Sequence, residues 1–400
     1  MSTGTLRNIT SLFRTVYFSF ACLFYLVMCI VIIPAVYVTY RGLSCIGINM
    51  EKFKAIVGKL WLQVTQSLLC ILIGDNTYIL YKPLPEDQMM GNTLIISNHT
   101  SYVDWIYLWS LLLKTGRESI SFIAKEAVGA FYPLRLGIDM LNFVLLTRKM
   151  EDDQMRLKKA CSVLHKSNNY NLVIFPEGTF IDQDTKKKDE IFLKKELENR
   201  GLLKTLSPEE IEEKKIHTTI PHSLNKVFQE VIFPRVKGFK ILVDELKPTL
   251  KNIMDCTIYL NMHGSDMMYP SDHFTLTNII LGRCSRIQAL IICENIKFDA
   301  KIAENSSEWI YNRFAKKDEL LKQLKMQRAR KDNMHDICTE YKQKGYTIKR
   351  LHPSLSVTIL LSAGSLVIIL PCIFLSYLVS VFLYKYLASP YDTLKTLYNF

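Results

Sequence analysis

The segment that most limits how this chain can fold is an apolar run near its start, Val16 to Val38, in which no side chain carries a charge. About twenty apolar residues in a helix are long enough to cross the hydrocarbon core of a bilayer. The run is longer than the apolar core of a signal peptide, and no clear small-residue cleavage site follows it. We therefore predict an uncleaved transmembrane helix over residues 16–38, inside an N-terminal membrane anchor formed by residues 1–80.

Two further apolar segments extend this membrane pattern. Residues 60–73 are too few to span a bilayer comfortably and include four polar uncharged side chains. They indicate an interfacial or re-entrant helix, or else a buried helix of a soluble domain. Residues 355–387 are largely apolar and are interrupted by Gly364 and Pro371. This last segment predicts C-terminal transmembrane structure, either one long tilted crossing or a hairpin of two short helices.

Between these segments the chain alternates between strand-like and helix-like patterns, which is typical of an α/β fold. The strand-like runs lie at 93–97, 120–124, 141–147, 171–175 and 253–261, and the helix-like stretches between them lie at 103–113 and 151–166. A further strand is predicted at 288–293. We place the α/β domain at residues 90–300.

Two charged segments interrupt or follow this domain. Residues 182–215 are dense in both charges, which predicts a helical, solvated insertion. The insertion could shape substrate entry, although a surface appendage is the simpler interpretation. Residues 313–350 carry twelve Lys or Arg against five Asp or Glu, a balance of 12 − 5 = +7 within a chain of net charge +12. A basic amphipathic segment over residues 305–350, beside an apolar run, favours anionic lipid head groups, and no nucleic-acid motif accompanies it.

Several classes of site are disfavoured by the sequence. The ten cysteines are scattered, with no Cys-x-x-Cys pair, which disfavours a zinc site or a disulfide framework. No Walker loop or dinucleotide fingerprint is present. Ser97 and Ser101 lie in no Gly-x-Ser-x-Gly elbow. The candidate chemistry must therefore come from other side chains.

The first candidates, His99 and Asp104, follow the β-branched run Thr93–Ile96, at a strand end where open α/β sheets bind their ligands. A five-residue step leaves two side chains roughly 140° apart on an ideal helix. The two can meet only if His99 lies in the turn and Asp104 lies in the first helical turn. Asp104 would then accept one imidazole N–H and free the other nitrogen to take a proton. Taken alone, such a pair is more often a helix cap or a satisfied surface histidine.

A second turn, Phe175 to Thr179, follows another strand-like run and contains a Pro-x-Gly sequence. Gly178 would let backbone N–H groups approach a phosphate, and Thr179 would add a hydroxyl donor. Glu177 would repel a phosphate, so we expect it to orient a neighbour instead, such as an arginine. Taken alone, this pattern indicates only a turn.

Two arginines occupy comparable places at the ends of apolar runs. Arg148 follows Phe143–Leu146, and Arg235 lies in the sequence Phe-Pro-Arg-Val-Lys-Gly-Phe of residues 233–239. An arginine at such a place can bind a phosphate through two parallel hydrogen bonds. The alternative for each is an exposed charge at a strand end.

The order of these motifs along the chain carries more information than any one of them. Asn-His-x4-Asp, a strand ending in Arg148, Phe-Pro-Glu-Gly-Thr and then Pro-Arg-x-x-Gly-Phe resembles the 1-acylglycerol-3-phosphate acyltransferase family. The likeness is closer to the branch that includes lysocardiolipin acyltransferase. It rests on segments within 98–109, 143–153, 233–244 and 309–321 and covers roughly residues 95–324.

The resemblance implies a membrane-anchored glycerolipid acyltransferase domain of α/β class. It implies transfer of a fatty acyl group from acyl-CoA, as co-substrate, to the free hydroxyl of a lysophospholipid, with no metal or bound cofactor. His99 would be the general base and Asp104 its orienting partner. The acceptor's phosphate would be bound by Arg148, Glu177 and Gly178, with Thr179 and Arg235 contributing.

The resemblance does not determine which lysophospholipid is the acceptor. The first expectation is lysophosphatidic acid, which would give phosphatidic acid, and the alternative is remodelling of lysophosphatidylinositol or lysocardiolipin. Thr100-Ser101-Tyr102 stand where that branch usually has arginines, and the charged segment after Thr179 is longer than expected. A non-enzymatic membrane-binding protein is a third hypothesis, against which the intact His99 and Asp104 pair argues.

The resemblance also implies a place in the cell. Such enzymes lie in the endoplasmic reticulum membrane, and acyl-CoA is cytosolic, so we expect a multi-pass protein whose catalytic domain faces the cytosol. Lys- and Arg-rich stretches at 41–59 and 313–350 agree with that orientation. Arg7 and Arg14 favour the opposite one.

Overall fold

The computed structural model describes residues 3–73, 77–82, 91–117, 119–166, 169–199, 228–262, 269–281, 287–329, 334–351 and 355–364. In this part of the chain, eight strands form one mixed sheet with helices on both faces. The strands are β1 Thr77–Tyr81, β2 Thr93–Ser97, β3 Ile120–Lys125, β4 Val144–Leu146, β5 Asn171–Ile174, β6 Asn252–Met262, β7 Ile287–Lys297 and β8 Thr347–Arg350. The α/β class predicted from the alternating pattern is therefore confirmed.

The strand order across the sheet is β4-β3-β5-β2-β6-β7-β1-β8. The five strands from β4 to β6 are parallel, so their carboxyl ends lie along one edge of the sheet. β7 runs antiparallel to β6 and parallel to β1, and β8 closes the far side antiparallel to β1. The sequence pattern predicts neither β1 nor β8, and two of the four residues of β8 are charged.

The helices are α1 Thr3–Cys45, α2 Glu51–Ile73, α3 Asp104–Lys114, α4 Tyr132–Met140, α5 Met150–Leu164, α6 Gln183–Asn199, α7 Val236–Leu246, α8 Pro270–His273, α9 Leu276–Ile280, α10 Ala300–Glu304, α11 Ser306–Ala329, α12 Met334–Gln343 and α13 Leu355–Gly364. A short 3-10 helix, Glu126–Ala130, joins β3 to α4. Strand β4 is shorter than the predicted 141–147, because α4 runs to Met140 and a turn through Asn142 follows it.

The core lies in two layers on the two faces of the sheet. Successive residues of β2 alternate between them, since Leu94 and Ile96 face one layer and Ile95 faces the other. Helices α1 to α4 cover the Ile95 face, whereas α5, α7, α11 and α12 cover the opposite face. A strand that is buried on both faces reads as a continuous apolar run, as parallel strands do.

The N-terminal helices differ in length from the prediction. Val16–Cys45, within α1, is long and apolar enough to cross a membrane, so it exceeds the predicted 16–38. The predicted helix at 60–73 is the second half of α2, which starts at Glu51. Tyr25 of α1 donates or accepts a 2.7 Å hydrogen bond with Thr65 of α2, which joins the two helices side by side.

Two other predictions fall partly outside the described residues. For the charged insertion 182–215, helix α6 covers residues 183–199, and residues 200–215 lie outside. For the C-terminal transmembrane segment 355–387, residues 355–364 form α13, a helix of ten apolar-rich residues, and the remainder lies outside. Ser362 of α13 forms a 2.7 Å hydrogen bond with Tyr17 of α1.

The basic segment 305–350, which was predicted to be amphipathic and to favour anionic lipid head groups, packs partly into the fold. Helix α11 packs on the sheet with Ile310 and Phe314 fully buried. Arg313 and Lys317 of this helix both form ion pairs with Asp255 of β6. Because buried charges must be paired, part of the positive charge counted in the sequence is neutralised inside the fold. With β8 in the same sheet, the folded unit extends past the boundary predicted at residue 300.

Candidate active site

His99 and Asp104 meet at the carboxyl end of β2. His99 lies in the turn after the strand, and Asp104 is the first residue of α3, which is the arrangement that the five-residue spacing requires. His99 Nδ1 lies 2.8 Å from Asp104 Oδ2. The Asp104 side chain is fully buried, whereas the His99 side chain is 22% exposed. The imidazole is thus held from inside the protein while one side of it stays open.

The Asp104 carboxylate accepts hydrogen bonds from five donors. Besides His99 Nδ1, these are the backbone N–H of Thr100 at 2.5 Å, the Thr100 hydroxyl at 2.8 Å, the backbone N–H of Ser101 at 3.0 Å and the Ser101 hydroxyl at 2.7 Å. An ionised carboxylate only accepts hydrogen bonds, so His99 Nδ1 carries its proton. Among the residues that the structure describes, none bonds to His99 Nε2. This is therefore the nitrogen that can accept a proton.

Asn98 attaches the His99 turn to the neighbouring strand. Its side-chain amide donates to the carbonyl oxygen of Ile258 at 2.9 Å and accepts from the N–H of Ile258 at 2.8 Å. The buried amide thus continues the β2–β6 ladder by one position beyond Ser97 and Cys256, its last backbone pair. The sequence contains Asn98 in the motif but gives no signal of this pairing.

Aromatic side chains enclose the His99 ring. Phe175 stacks on it with ring centroids 4.2 Å apart and planes at 23°. Phe180 meets it edge-on, with centroids 5.7 Å apart, and Tyr102 packs against Phe180 at 4.5 Å. Phe180 and Tyr102 are not among the site residues predicted from the sequence. Their signal would have been an aromatic residue next to each of the two candidate turns.

Glu177 connects the second turn to the first. Its two carboxylate oxygens accept the backbone N–H of His99 and, at 2.8 Å, the backbone N–H of Ile232. The side chain is 1% exposed. Burial raises the pKa of Glu177 to about 8, although the two N–H donors act in the opposite direction. Glu177 therefore orients the backbone of His99 and of Ile232, and its oxygens do not face solvent.

The two candidate arginines lie on either side of Gly178. Arg148 is exposed, and its Nη2 donates to the carbonyl oxygen of Gly178 at 2.9 Å. The backbone N–H of Arg235 donates to the carbonyl oxygen of Pro176 at 2.7 Å, and a Cβ on Gly178 would lie 3.8 Å from Arg235 Cγ. Gly178 has a φ of +73°, a conformation that glycine adopts without strain. Thr179 is half-buried in the same turn.

Arg235 is held by two contacts outside the turn. Its Nη2 lies 3.5 Å from Oδ1 of the buried Asp189. Its guanidinium carbon lies 3.7 Å from the ring centroid of Phe192. Both partners belong to α6, the start of the charged insertion. The described part of that insertion therefore supports a candidate site residue and is more than a surface appendage.

The structure thus brings all seven candidate residues to one edge of the sheet: His99, Asp104, Arg148, Glu177, Gly178, Thr179 and Arg235. A base with an open nitrogen lies beside a turn flanked by two guanidinium groups. In the described part of the chain, no three His, Cys, Asp or Glu side chains come together as a metal site would need. The arrangement suits removal of a proton from a substrate that also carries an anionic group.

Comparisons with known proteins match part of this chain to acyltransferases. Residues 81–258 match the family model described as Acyltransferase. An uncharacterized acyltransferase of Saccharomyces cerevisiae is 28% identical over 272 residues, 59% of this chain and 59% of that protein. The 2-acyl-1-lysophosphatidylinositol acyltransferase of the same yeast is 23% identical over 340 residues, 71% of this chain and 78% of that protein.

A third relative, 1-acyl-sn-glycerol-3-phosphate acyltransferase 3 of Arabidopsis thaliana, is 25% identical over 66% of this chain and 62% of that protein. Lysocardiolipin acyltransferases of zebrafish, mouse and chicken also match. The matches span about three fifths of the length of two of the three relatives described and 78% of the other.

The raised pKa of Glu177 predicts a proton that titrates near neutral pH. The folded protein binds this proton more tightly than the unfolded chain, in which the pKa is about 4.3. Its stabilising effect is therefore complete below about pH 4 and is lost as the pH rises to about 8, by at most about 1.4 kcal/mol per pH unit. Infrared spectra of the detergent-solubilised chain should show a buried carboxylic acid C=O band that disappears as the pH is raised through about 8.

That band should be absent from Glu177→Gln and present in Glu190→Gln, which alters an exposed glutamate of α6. A wild-type spectrum without the band at pH 6 would show that the two N–H donors outweigh burial and keep Glu177 ionised.

Proposed function

We propose that this chain, in which residues 81–258 match the family model described as Acyltransferase, moves a fatty acyl group from acyl-CoA to the free hydroxyl of a lysophospholipid. The observation that carries the proposal is the His99–Asp104 pair, with Nδ1 bound at 2.8 Å and Nε2 open. Acyl transfer to a hydroxyl needs a base for the hydroxyl proton, and an imidazole held by a carboxylate supplies one.

In the proposed reaction His99 Nε2 accepts the proton of the acceptor hydroxyl as its oxygen attacks the thioester carbonyl. A C–O bond forms, the C–S bond breaks, and the proton returns from the imidazolium to the departing coenzyme A sulfur. The buried Asp104 carboxylate stabilises the imidazolium that forms between these steps. Phe175, stacked on the ring at 4.2 Å, fixes its plane. The chemistry uses acyl-CoA as co-substrate and needs no metal or bound cofactor.

The acceptor's phosphate would lie against the Gly178 turn. Arg148 and Arg235 flank that turn, and guanidinium groups bind phosphate oxygens through paired hydrogen bonds. The hydroxyl of Thr179 adds an uncharged donor, whereas the backbone N–H of Gly178 donates to the carbonyl oxygen of Phe175 at 3.0 Å. Glu177 supports this turn from inside through its bonds to the backbone of His99 and Ile232. In this proposal Glu177 positions the phosphate site and does not contact the phosphate.

Lysophosphatidic acid is the acceptor that we propose first. Its phosphate monoester carries more charge than a diester, which suits the exposed guanidinium of Arg148 at this turn. The Thr100 and Ser101 hydroxyls, which stand where the related branch has arginines, are both used by Asp104 and so offer nothing to a larger head group. Lysophosphatidylinositol is the second candidate, because the yeast acyltransferase named for that lipid matches over 71% of this chain. Lysocardiolipin remodelling is the third.

Replacing the base should abolish the reaction. We expect His99→Ala to lower acyl transfer to lysophosphatidic acid by about 10²–10⁴-fold, the usual contribution of a general base. The measurement is transfer of labelled acyl groups in membranes that contain equal amounts of each protein. His335→Ala, which removes an exposed histidine of α12, should leave the rate unchanged.

Full activity in His99→Ala would reject the mechanism. Inactivity of the wild type towards every lysophospholipid would reject the function itself and favour a binding role.

The phosphate site should determine acceptor use. We expect Arg148→Gln to raise KM for lysophosphatidic acid by roughly tenfold or more, as loss of a charge-assisted hydrogen bond does, and to leave KM for acyl-CoA unchanged. Lys149→Gln, which removes the adjacent exposed cation, is the matched control. Measuring kcat/KM with lysophosphatidylinositol and lysocardiolipin as well ranks the three candidate acceptors. A higher kcat/KM for either of these would replace lysophosphatidic acid as the proposed acceptor.

We also propose that the protein is a multi-pass protein of the endoplasmic reticulum membrane with its catalytic domain in the cytosol. One helix stretch, Val16–Cys45, supports membrane attachment, and the cytosolic location of acyl-CoA supports the orientation. A glycosylation acceptor sequence engineered at the exposed Lys188 of α6 should stay unmodified in microsomes. The same sequence in an extension ahead of α1 should be modified. Modification at Lys188 would place the domain in the lumen.

A further inference from the structure

An apolar surface follows β3, in the 3-10 helix and at the start of α4. From Ala127 to Leu134 no side chain is charged. Five residues of this stretch are exposed: Ala127, Val128, Ala130, Phe131 and Tyr132. Among the large ones, Val128 is 46% exposed, Phe131 42% and Tyr132 70%. We name residues 127–132 the apolar ridge. Clusters of exposed apolar side chains of this kind mark binding surfaces.

The apolar ridge is fixed to the sheet beneath it. Arg156 of α5 bonds to Glu126 at 3.1 Å and to the carbonyl oxygen of Leu145 at 2.8 Å, which ties the start of the ridge to β4. A Cβ on Gly129 would lie 2.9 Å from Leu145 Cδ1, so the ridge backbone packs closely on the same strand. The exposed apolar side chains of the ridge are therefore held by a backbone that packs firmly on β4.

The apolar ridge lies on the same edge of the sheet as the candidate active site. β3 ends at Lys125, directly before the ridge, and runs parallel to β5 and, through it, to β2. The carboxyl ends of β5 and β2 carry the Phe175–Thr179 turn and His99. A surface that binds the ridge would therefore also approach the edge that holds the base.

Packing between α4 and the N-terminal helices places the apolar ridge close to α1. A Cβ on Gly137 of α4 would lie 3.6 Å from Cγ2 of Ile33 and 3.2 Å from the Trp61 ring, so α4 packs against both N-terminal helices. Ile33 lies inside Val16–Cys45, the stretch long and apolar enough to cross a membrane. Tyr132 is five residues from Gly137, about 7.5 Å along the helix. The ridge is thus a neighbour of the helix that would enter the bilayer.

The residue types also fit a lipid interface. Tyr132 combines an aromatic body with a polar hydroxyl, as side chains at the head-group level do. Lys125 precedes the ridge and is exposed, where it can meet an anionic head group. Arg135 follows the ridge, with its charge partly met by Asp139 at 3.0 Å.

We propose that the apolar ridge inserts into the head-group region of the bilayer beside α1 and holds the His99 edge of the domain against the membrane. Lipid contact by the ridge stands on the geometry alone. Its consequence, that a lipid acceptor reaches His99 directly from the bilayer, rests on the proposed function.

Photocrosslinking tests the lipid contact without any catalytic readout. The full chain carrying benzoylphenylalanine at Tyr132 or Val128 is reconstituted into vesicles of phosphatidylcholine and phosphatidylserine that contain a labelled lipid. The control is the same replacement at Val163 of α5, which is 49% exposed but lies on the opposite face of the sheet. We expect labelled-lipid adducts at 132 and 128 and background labelling at 163.

Two results would overturn the proposal: equal lipid labelling at all three positions, and crosslinks at 132 to a second copy or another protein in place of lipid.

Kinetics test the consequence for catalysis. The double variant Phe131→Glu, Tyr132→Glu should raise KM for a long-chain lysophospholipid in vesicles by roughly tenfold, or 1.4 kcal/mol. With a short-chain, water-soluble acceptor, its KM and kcat should equal those of wild type, which also shows that the variant is folded. Val163→Glu should leave KM and kcat unchanged for both acceptors. An unchanged KM in vesicles would reject the membrane-delivery role, whereas a wild type that acylates no acceptor would reject the proposed function and leave the crosslinking result standing.

Discussion

The buried Asp104 carboxylate is the constraint on which the site depends. Removing an ionised carboxylate from water costs several kcal/mol unless donors replace the lost hydration. Here five donors do so, and all of them come from His99, Thr100 and Ser101. The turn after β2 must therefore fold around this one side chain. Because the imidazole is one of the five donors, the same interaction that stabilises the turn also selects the tautomer of His99.

The rest of the site is attached to that turn mainly through backbone groups. Glu177 binds the N–H of His99 and of Ile232, and Asn98 pairs with both backbone groups of Ile258. Four segments that are far apart in the sequence thus share one junction. A carboxylate that binds backbone N–H groups constrains where a turn lies, not what it reacts with. We therefore assign Glu177 to positioning, although it stands at the centre of a motif that the sequence associates with the substrate.

Sequence patterns predict those features that depend on near neighbours. The strands from β2 to β6 follow from apolar runs, and the contact between His99 and Asp104 follows from helix geometry over five residues. Features set by distant partners leave no such pattern. The partner of Glu177 is Ile232, 55 residues away, and the pairing of Asn98 with Ile258 spans 160 residues. Composition likewise suggested a basic amphipathic segment for lipid head groups, because it does not reveal that Lys317 is buried against Asp255 of another element.

That last difference changes how membrane attachment by this domain is explained. In the described part of 313–350, ion pairs with carboxylates are formed by Arg313, Lys317, Lys322, Lys325 and Lys344. Two of them neutralise Asp255 within the fold, on the face of the sheet opposite α1. A charge used inside the protein cannot also attract a lipid head group, and the attraction by exposed charges falls within a Debye length of about 8 Å. In the proposed attachment, apolar contacts of α1 and of the apolar ridge therefore act beside the His99 edge together with the exposed Lys125.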